Sequence, residues 1–211
     1  MYEKRIAIIG GTGKVGKFIA ETALERGFAV RMLVRNPDRI QKRQDSMELI
    51  VGDALDAESI RETIRNCDVV INAFGQPPKA DPSYSEVTQL ILVSMKDHGI
   101  QRYIGVTGGS LTLDGDQKSF INRLGAKLFE VFFAKMMIDK RKEHDILKQS
   151  DLDWTLVRLP FVVEGSEKGD IRENLIDMPG SKITNGDIAH FLVGQIDEKI
   201  YYRQTPFIAG K

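Results

Sequence analysis

The stretch Ile6-Ala-Ile-Ile-Gly-Gly-Thr-Gly-Lys-Val-Gly16 decides the fold of this chain. An apolar run ends at Gly10, and further glycines follow at positions 11, 13 and 16, which gives the spacing G-x-x-G-x-x-G. The pattern predicts a buried strand, a tight turn and a helix that begins near Lys14. Gly10 suits the turn, Gly13 lets a pyrophosphate approach the backbone, and Gly16 lets the helix pack closely on the sheet.

The residues around this loop provide the structural context that such a motif requires. A strand-like run precedes it, and apolar residues at helical spacing follow it as far as Gly27. The first turn of the helix would offer unpaired N–H groups and the positive end of its dipole to phosphates. The alternative is an ordinary glycine-rich turn, which the agreement of strand, loop and helix disfavours. The sequence therefore predicts a dinucleotide-binding loop.

The residues after the second predicted strand, 28–34, indicate which dinucleotide is bound. NAD-binding folds place Asp or Glu about 20 residues after the glycines, where it bonds the ribose hydroxyls. This chain has Arg35 and Asn36 there, followed by Arg39. A guanidinium can pair with the 2′-phosphate that a carboxylate would repel. The pattern favours NADP(H) over NAD, and the alternative is that Arg35 and Arg39 are solvated surface residues.

Composition and charge exclude several classes of function. The 211 residues are 42% apolar and 28% charged, and 30 basic side chains balance 30 acidic ones. This is ordinary for one globular domain over residues 1–211, and zero net charge provides no field that would recruit nucleic acid. The single cysteine, Cys67, excludes an internal disulfide, and the first residues lack the apolar segment of a signal peptide. We expect a cytoplasmic protein that binds neither membrane nor nucleic acid.

Strands and helices alternate along the chain. Predicted strands cover residues 6–9, 28–34, 48–51, 68–74, 103–106, 154–158 and 205–209. Predicted helices begin near Lys14, Asp56, Ser83 and Thr184, and Gly27 and Gly99 mark two helix ends. Such alternation is typical of an α/β fold with a doubly wound, Rossmann-type parallel sheet that helices cover on both faces.

The segment from Leu124 to Ile138 is dense in Leu, Phe, Val and Met. Charged residues interrupt it, and it is shorter than the ~20 apolar residues of a membrane span. We predict one long helix packed against the sheet. Its surplus apolar side chains leave two further roles open, covering the cofactor site or joining the subunits of a homo-oligomer. The charged run that follows, from Lys140 to His144, is predicted to be a solvated helical face.

Seven short motifs are spread over nearly the whole chain. They are Gly10-Gly-Thr-Gly-Lys-Val-Gly16, Leu33-Val-Arg-Asn-Pro37, Val51-Gly-Asp-Ala-Leu55, Ile71-Asn-Ala-Phe-Gly75, Val106-Thr-Gly-Gly-Ser110, Val157-Arg-Leu-Pro160 and Ile183-Thr-Asn-Gly-Asp-Ile-Ala189. In order and spacing they resemble the atypical short-chain dehydrogenase/reductase superfamily, specifically its NAD(P)H-binding group with NmrA-like proteins and biliverdin-IXβ and flavin reductase. The resemblance implies a fold that binds NADP(H), and it is less specific for any one activity.

The resemblance also implies a cofactor site, residue by residue. These residues would be Gly10, Thr12, Gly13, Lys14 and Val15 at the pyrophosphate, Arg35 and Arg39 at the 2′-phosphate, Asp53 and Ala54 at the adenine, Ala73, Phe74 and Gly75 at the adenosine ribose and diphosphate, Thr107, Gly108 and Ser110 beside the nicotinamide, and Pro160, Phe161 and Val162 around its carboxamide. The alternative interpretation of Asp53 is a turn residue that ends a strand.

The chain departs from most enzymes of the superfamily, which pair a catalytic Tyr with Lys four positions on. No Tyr-x-x-x-Lys occurs in the sequence, so a reaction that needs a strong proton donor to a carbonyl is disfavoured. Ser110 occupies the position of the family's active-site serine, but a lone serine is a poor acid at neutral pH. Phe161 stands where flavin reductase has histidine, which disfavours bilin reduction. The three histidines fall in predicted helices, and no spacing indicates a metal site.

Hydride transfer to a flavin or quinone is compatible with these departures, because the product anion is delocalised and water can supply the proton. The predicted activity is therefore that of an NADPH-dependent reductase acting on a small electron-poor acceptor, with Ser110 on the acceptor side. The second hypothesis is a redox sensor like NmrA, which holds NADP and reports its state to a partner without turnover. A sugar-nucleotide epimerase is disfavoured by the missing tyrosine and the short C-terminal sequence.

Overall fold

The computed structural model describes residues 4–40, 44–77 and 80–211. Its strands are β1 (Arg5–Ile9), β2 (Ala29–Val34), β3 (Met47–Val51), β4 (Val69–Asn72), β5 (Arg102–Gly108), β6 (Asp153–Leu159), β7 (Phe161–Val163), β8 (Ile171–Asn174), β9 (Lys182–Thr184) and β10 (Phe207–Gly210). Its helices are α1 (Gly16–Glu25), α2 (Ala57–Ile64), α3 (Tyr84–Asp97), α4 (Phe120–Phe132), α5 (Ala134–Gln149) and α6 (Asn185–Gly194). Eight strands form one sheet in the order β3-β2-β1-β4-β5-β6-β10-β8, and β7 pairs with β9 beside it.

Alternate side chains of β1 enter two separate apolar layers, as the two-residue period of a strand requires. Ile6 and Ile8 are fully buried in the layer that includes side chains of α1 and α6. Ala7 and Ile9 are fully buried in the layer that includes side chains of α2, α3 and α5. Helices therefore cover both faces of the sheet, and the prediction of a doubly wound α/β fold is confirmed.

The order of the strands reverses beside β1. Strands β2 and β3 lie on one side of β1, and β4, β5 and β6 lie on the other, all in parallel pairings. In open α/β sheets a ligand crevice forms at the carboxyl ends of the strands at such a reversal. Gly10 follows β1 here and Ala73 follows β4, and the N–H of Ala73 donates to the carbonyl of Ile9 at 2.9 Å.

Several element boundaries follow from local sequence signals. Asp56 caps α2, because its carboxylate accepts a hydrogen bond from the N–H of Ser59 at 2.9 Å. Thr184 caps α6 through the N–H of Asp187 at 3.1 Å. Gly27 and Gly99 follow α1 and α3 with φ of +83° and +68°, the left-handed conformation that ends many helices. These helix ends lie where the sequence predicts them.

The segment from Leu124 to Ile138 is not one long helix, and this prediction is wrong. The chain bends at Phe133 (φ −127°, ψ 39°), so the segment is divided between α4 and α5. Helix α5 packs against α3, whereas Ala126 is the one buried residue of α4. The bend turns α4 away from the sheet, which leaves most of its apolar side chains exposed. No helix within the described residues has the length and apolar content to cross a membrane.

The C-terminal part contains strands that simple alternation does not predict. Strand β8 runs antiparallel to β10 at the edge of the sheet, with Ile208 paired to Glu173. Strands β7 and β9 have three residues each and form a small parallel pair, which holds Val162 opposite Ile183. This pair fixes the backbone that follows the carboxyl end of β6, beside the crevice.

Candidate active site

The glycines of the first loop have separate structural reasons. Gly10 has a φ of +82°, and a Cβ there would lie 2.5 Å from the carbonyl oxygen of Ala73. A Cβ at Gly16 would lie 2.3 Å from the carbonyl oxygen of Gly10, so only glycine lets α1 begin this close to the turn. Gly13 is exposed, and a Cβ there would meet only the Gly10 carbonyl, at 3.1 Å. Gly10 and Gly16 thus serve the fold, and Gly13 leaves space above the loop.

The N-terminus of α1 is suited to an anion. Its N-cap residue, Val15, provides no side-chain hydrogen bond, and its first turn holds no acidic residue. The first N–H groups of a helix have no partner within the helix, and its dipole is positive there. Thr12 is partly buried and Lys14 is exposed beside them. The structure thus brings the predicted pyrophosphate residues to the start of α1, where a phosphate fits.

Gly10 and Gly13 provide a test of this division of roles. We expect Gly10→Ala to lower the free energy of unfolding by at least about 1–2 kcal/mol, because the left-handed backbone disfavours a Cβ. Gly13→Ala should lower the free energy of unfolding by less, because its φ is not positive and its Cβ would press on one atom only, the Gly10 carbonyl oxygen at 3.1 Å. It should weaken NADPH binding, since its methyl group would occupy the space above the loop. Urea unfolding and cofactor titration measure the two effects. Equal destabilisation by both substitutions would contradict the assignment.

The predicted adenosine end of the site is open to solvent. Arg35 is exposed directly after β2, and among the described residues its guanidinium donates no hydrogen bond. Asn36 caps the turn Pro37–Arg39 by accepting from the N–H of Asp38 at 2.9 Å. Arg39 is also exposed and lines a cavity of about 320 Å³ next to α1. The exposed guanidinium of Arg35 is thus free to meet a phosphate.

The position of Asp53 is compatible with both of its predicted roles, contact with the adenine and a turn that ends a strand. Its carboxylate accepts a hydrogen bond from the N–H of Leu55 at 2.9 Å, the geometry of an ordinary turn after a strand. The residue is exposed, and Ala54 beside it is buried. The turn explains the position of Asp53, and its contact with adenine stays a prediction.

The loop after β4 is held from below by a buried amide. Asn72 accepts a hydrogen bond from the N–H of Phe74 at 3.0 Å, and it donates to the hydroxyl of Tyr103 at 2.9 Å. The ring of Phe74 packs edge-on against Tyr84, with 5.8 Å between centroids. Ala73 and Phe74 are therefore fixed at the edge of the crevice, and the Gly75 that follows them is exposed.

The loop after β5 forms the predicted nicotinamide end. Thr107 is buried at the carboxyl end of the strand, and a Cβ at Gly108 would meet only the hydroxyl of Ser110, at 3.5 Å. The hydroxyl of Ser110 lies 3.8 Å from the sulfur of Met137. The structure thus leaves space beside Gly108, between Thr107 and Ser110, and the contact of these residues with nicotinamide stays a prediction.

Lys118 fixes the loop that carries Ser110. Its ammonium donates to the carbonyls of Gly109 and Leu111 at 3.0 Å each, and to the hydroxyl of Thr112 at 3.0 Å. Burial lowers the pKa of Lys118 to about 8. The Gly109 N–H in turn bonds the carbonyl of Leu159 at 2.7 Å, which ties this loop to the end of β6.

The predicted carboxamide residues follow β6. Pro160 is partly buried, and Val162 lies partly buried in β7. The side chain of Phe161 is 83% exposed, so it is available to an acceptor but does not fill the crevice. The structure thus brings all the predicted loops to the carboxyl edge of the sheet.

Sequence reasoning missed Lys140, which lies beside Thr107 at the predicted nicotinamide end. This residue is 7% exposed on α5, and its ammonium donates to the hydroxyl of Thr107 at 3.2 Å. It also lies over the ring of Tyr84, 3.7 Å from the centroid. Burial lowers the pKa of Lys140. The prediction of a solvated face from Lys140 to His144 is wrong at Lys140 and Glu143, because both side chains are buried against β5 and α3.

A tyrosine and a lysine therefore meet without the motif Tyr-x-x-x-Lys. They come from different helices, Tyr84 from α3 and Lys140 from α5, so no spacing along the chain could reveal the pair. The lysine contacts the ring face and not the hydroxyl. Burial raises the pKa of Tyr84, so the phenol keeps its proton at neutral pH. The ionisable group of this pair is the lysine.

A buried polar chain runs from Glu143, three residues after this lysine on α5, to the loop after β4. The hydroxyl of Thr88 donates to the carboxyl of Glu143 at 3.3 Å, and it lies 3.5 Å from the hydroxyl of Tyr103. Tyr103 in turn accepts from Asn72, which holds Phe74. Glu143 is 2% exposed, and burial raises its pKa. The chain of contacts thus joins α5, α3 and β5 to the loop after β4.

Comparison with known proteins places this geometry in context. A sequence model of the family described as NAD(P)H-binding matches residues 10–199. The uncharacterised protein YwnB of Bacillus subtilis (strain 168) is 27% identical over 154 residues, which cover 72% of this chain and 70% of YwnB. The residues matched by the family model include all the loops described above.

Two solved structures have the same fold. ChuY, an anaerobillin reductase from Escherichia coli O157:H7, superposes with a TM-score of 0.79 at 18% identity, over 98% of this chain and 97% of that one. A short-chain dehydrogenase/reductase from Veillonella parvula DSM 2008, in complex with NADP, gives 0.78 at 18% identity, over 99% of this chain and 95% of that one. At this level of identity the likeness concerns the fold alone.

Proposed function

The chain belongs to the NAD(P)H-binding family, and on that premise we propose that it is an NADPH-dependent reductase that transfers hydride to a flavin, a quinone or a similar electron-poor acceptor. The family is one of NAD(P)H-dependent oxidoreductases. The preference for NADP(H) and the class of acceptor are the proposed parts. Arg35 supports the preference for NADP(H), and the open space beside Gly108 supports the class of acceptor.

The residues present fit NADP(H). The space above Gly13 and the uncapped start of α1 suit the pyrophosphate. The exposed guanidinium of Arg35 suits a 2′-phosphate, which it can meet with charge-assisted hydrogen bonds. When bound, the cofactor supplies a hydride from its nicotinamide ring. The chain's own residues then have to hold the acceptor close and provide a proton.

Lys140 is the observation that carries the proposal of catalysis. A charged lysine in an apolar interior is costly, and burial shifts it toward the neutral form. Its ammonium reaches the hydroxyl of Thr107, at the border of the nicotinamide end. A lysine with a lowered pKa gives up its proton more readily than an ordinary lysine, which suits a general acid. We assign to its Nζ the proton that the reduced acceptor takes up, and water restores that proton afterwards.

The acceptor would lie over the open face between Gly108 and Ser110. Flavins and quinones are electron-poor, so close approach and orientation supply much of the rate. The exposed ring of Phe161 could stack on a flat acceptor from the other side. Ser110 would orient the acceptor, because a neutral hydroxyl donates a hydrogen bond but is a poor acid.

The decisive experiment is NADPH oxidation with a panel of acceptors. FMN, riboflavin, small quinones and a bilin would be tested at equal concentration, with NADH as the comparison cofactor. Turnover with flavin or quinone supports the proposal. Turnover with the bilin alone would contradict the proposed acceptor class and would bring the activity closer to that of ChuY.

A second function, that of a redox sensor, is favoured by the exposed apolar side chains of α4. A sensor would bind NADP(H) tightly and pass its redox state to a partner through such a surface. Tight cofactor binding without turnover on any acceptor of the panel would support the sensor. Turnover that responds to the active-site substitutions below would exclude it.

Ser110→Ala tests the role of the serine. We expect turnover with flavin or quinone to fall by less than about tenfold, well below the 10²–10⁴-fold effect of losing a positioned general acid. NADPH affinity should stay nearly constant, since the serine faces the acceptor. Steady-state kinetics and cofactor titration measure both quantities. Complete loss of turnover with intact cofactor affinity would show that Ser110 is the essential acid.

We also propose that the protein acts in the cytoplasm. Its lone cysteine, Cys67, is free and buried, and burial raises the pKa of its thiol to about 12. A chain with one cysteine can form no internal disulfide, the bond that is common in proteins of oxidising compartments. Fractionation of cells that express the full chain would test the location.

A further inference from the structure

A cavity of about 360 Å³ lies between α5, the loop after β5 and the start of β6. We call it the α5 cavity, after the helix that contributes Arg141, His144 and Lys148 to its lining. Its volume is in the usual range for a small-molecule site. Trp154 on its wall comes five positions before the carboxyl end of β6, a distance of about 16 Å. None of the predicted cofactor residues, all of which the structure describes, lines this cavity, so it is separate from the crevice.

Positively charged side chains outnumber carboxylates around the α5 cavity. Its charged lining consists of Arg141, Lys148, Arg203, Asp114 and Asp145. His144 also lines the cavity, and burial lowers its pKa, so its ring is uncharged at neutral pH. The lining thus carries a net positive charge, which favours an anion over a cation.

Arg203 is fixed on one wall of the cavity. Its backbone N–H donates to the carbonyl of Trp154 at 2.6 Å, and its φ of +57° lies in the region that favours glycine. Its guanidinium donates to the carbonyls of Ser150 at 2.9 Å and Lys148 at 3.2 Å. A guanidinium has five N–H donors, so most of them remain for a ligand. A side chain that is already held in place loses little entropy when it binds.

Arg141 and Lys148 line the cavity from α5. The guanidinium of Arg141 is held by the carbonyl of Thr112 and the carboxylate of Glu130, each at 2.8 Å. Lys148 comes about two helical turns later, so it lies on the same side of α5. It is exposed, and its ammonium makes no hydrogen bond or ion pair within the described part of the chain. Two fixed guanidiniums and one unpaired ammonium thus line the same cavity.

We propose that the α5 cavity binds a small organic anion that carries a carboxylate or a phosphate group. A guanidinium can meet either group with charge-assisted hydrogen bonds, often two at once. Eight of the ten lining residues are polar or charged, so the remainder of the ligand is polar as well. The site lies outside the crevice, and this inference does not depend on the proposed reductase activity.

A metal ion held by the two carboxylates of the lining is the alternative occupant. The side chain of Asp145 is 64% exposed and lies 3.8 Å from Nδ1 of His144. A divalent cation such as Ca²⁺ needs several oxygen ligands. The described residues contain no group of three or more His, Cys, Asp or Glu side chains that could hold a metal ion. The fixed arginines therefore favour the anion.

Trp154 is the one tryptophan of the chain, so its fluorescence reports on the wall of this cavity. The full chain, saturated with NADP⁺ so that the crevice is occupied, would be titrated with citrate and with glycerol 3-phosphate at constant ionic strength. We expect a saturable change in fluorescence with at least one of these anions, and none with glycerol or sodium chloride. A response to citrate alone would identify a carboxylate ligand, and a response to glycerol 3-phosphate alone would identify a phosphate.

Three variants locate the bound anion. Arg203→Gln should raise the dissociation constant of the anion by roughly tenfold or more, the effect of one lost charged hydrogen bond. Lys148→Gln should raise it by a smaller factor, because this side chain is exposed and its charge is screened. Lys142→Gln makes the same change at an exposed lysine of α5 outside the lining, and it should bind the anion like the wild type. Circular dichroism shows whether each variant is folded, and Lys148→Gln alone decides if Arg203→Gln does not fold.

Three results would overturn the proposal. The first is the absence of any saturable fluorescence change with millimolar citrate or glycerol 3-phosphate, together with no heat of binding in calorimetry. The second is binding that the folded Arg203→Gln and Lys148→Gln variants leave unchanged, because the anion would then lie elsewhere. The third is a fluorescence change with magnesium ions and none with either anion, which would mean that the carboxylates of the lining hold a cation.

Discussion

Lys140→Met is expected to lower turnover with flavin or quinone by roughly 10²–10⁴-fold, the usual effect of losing a positioned general acid. Methionine keeps an unbranched apolar stem and removes the ammonium group, with its proton, its charge and its hydrogen bond to Thr107. NADPH affinity should change much less, because the pyrophosphate and 2′-phosphate contacts lie at other loops. Steady-state kinetics with each acceptor and a fluorescence titration of NADPH measure the two effects.

The pH dependence of turnover provides a second test of Lys140 as the general acid. A general acid must be protonated to act, so wild-type turnover should fall as pH rises through the pKa of Lys140. Burial places that pKa below the ordinary value of 10.5. Lys140→Met should retain only a small residual turnover, and this turnover should not fall over the same pH range. A structural lysine would not produce a difference in the shape of the profile.

Two control variants separate proton donation from charge and from folding. Lys140→Arg keeps a positive charge but cannot release a proton near neutral pH, so we expect it to remain as slow as Lys140→Met. Glu143→Gln in combination with Lys140→Met removes the buried carboxyl that would otherwise face an uncharged neighbour. Turnover close to the wild type in the folded Lys140→Met variant would show that water supplies the proton and that the lysine is structural.

The parts of the site that the sequence predicts depend on local rules. Gly10 and Gly16 are needed because of contacts within a single turn, so their spacing alone indicates the loop. Asp56 caps its helix through Ser59, three residues away. The order of such signals along the chain then determines the alternation of strand and helix, and from it the parallel sheet.

Lys140 could not be predicted from local sequence signals of this kind. It lies in the run Lys-Arg-Lys-Glu-His, whose composition indicates solvent exposure. Its burial results from contacts with Thr107 and Tyr84, which belong to other elements. A lysine on the inward side of a predicted helix is a weak signal on its own, because lysines usually extend to solvent. The fold is needed to show that this one does not.

The bend between α4 and α5 could not be predicted from the sequence for the same reason. Phe133 is neither glycine nor proline, and apolar residues surround it on both sides. The sequence therefore carries no local signal for a helix end. Met137 on α5 is buried next to Ser110, while the side chains of α4 remain exposed. Helix α5 packs on α3, so the contacts that accompany the bend come from another element and not from neighbouring residues.

Arg35→Asp is expected to weaken NADPH binding by roughly 1.5–3 kcal/mol from the lost charged hydrogen bond alone. Each 1.4 kcal/mol is about a tenfold change in affinity, so the dissociation constant should rise by roughly 10- to 150-fold. Repulsion between the new carboxylate and the 2′-phosphate adds to this loss. NADH has no 2′-phosphate, and its affinity should change much less. Parallel titrations with the two cofactors measure the difference.

Arg172→Asp is the matched control for this substitution, because it makes the same change in charge at an exposed arginine of β8, at the opposite edge of the sheet and outside the predicted site. If Arg35 makes the direct contact, the control should alter NADPH binding only through the weak, salt-screened field of its charge. The ratio of NADPH to NADH affinity should then collapse in Arg35→Asp and persist in Arg172→Asp. Equal weakening of both cofactors by Arg35→Asp would mean that the residue supports the fold of the loop, and the preference for NADP(H) would need another source.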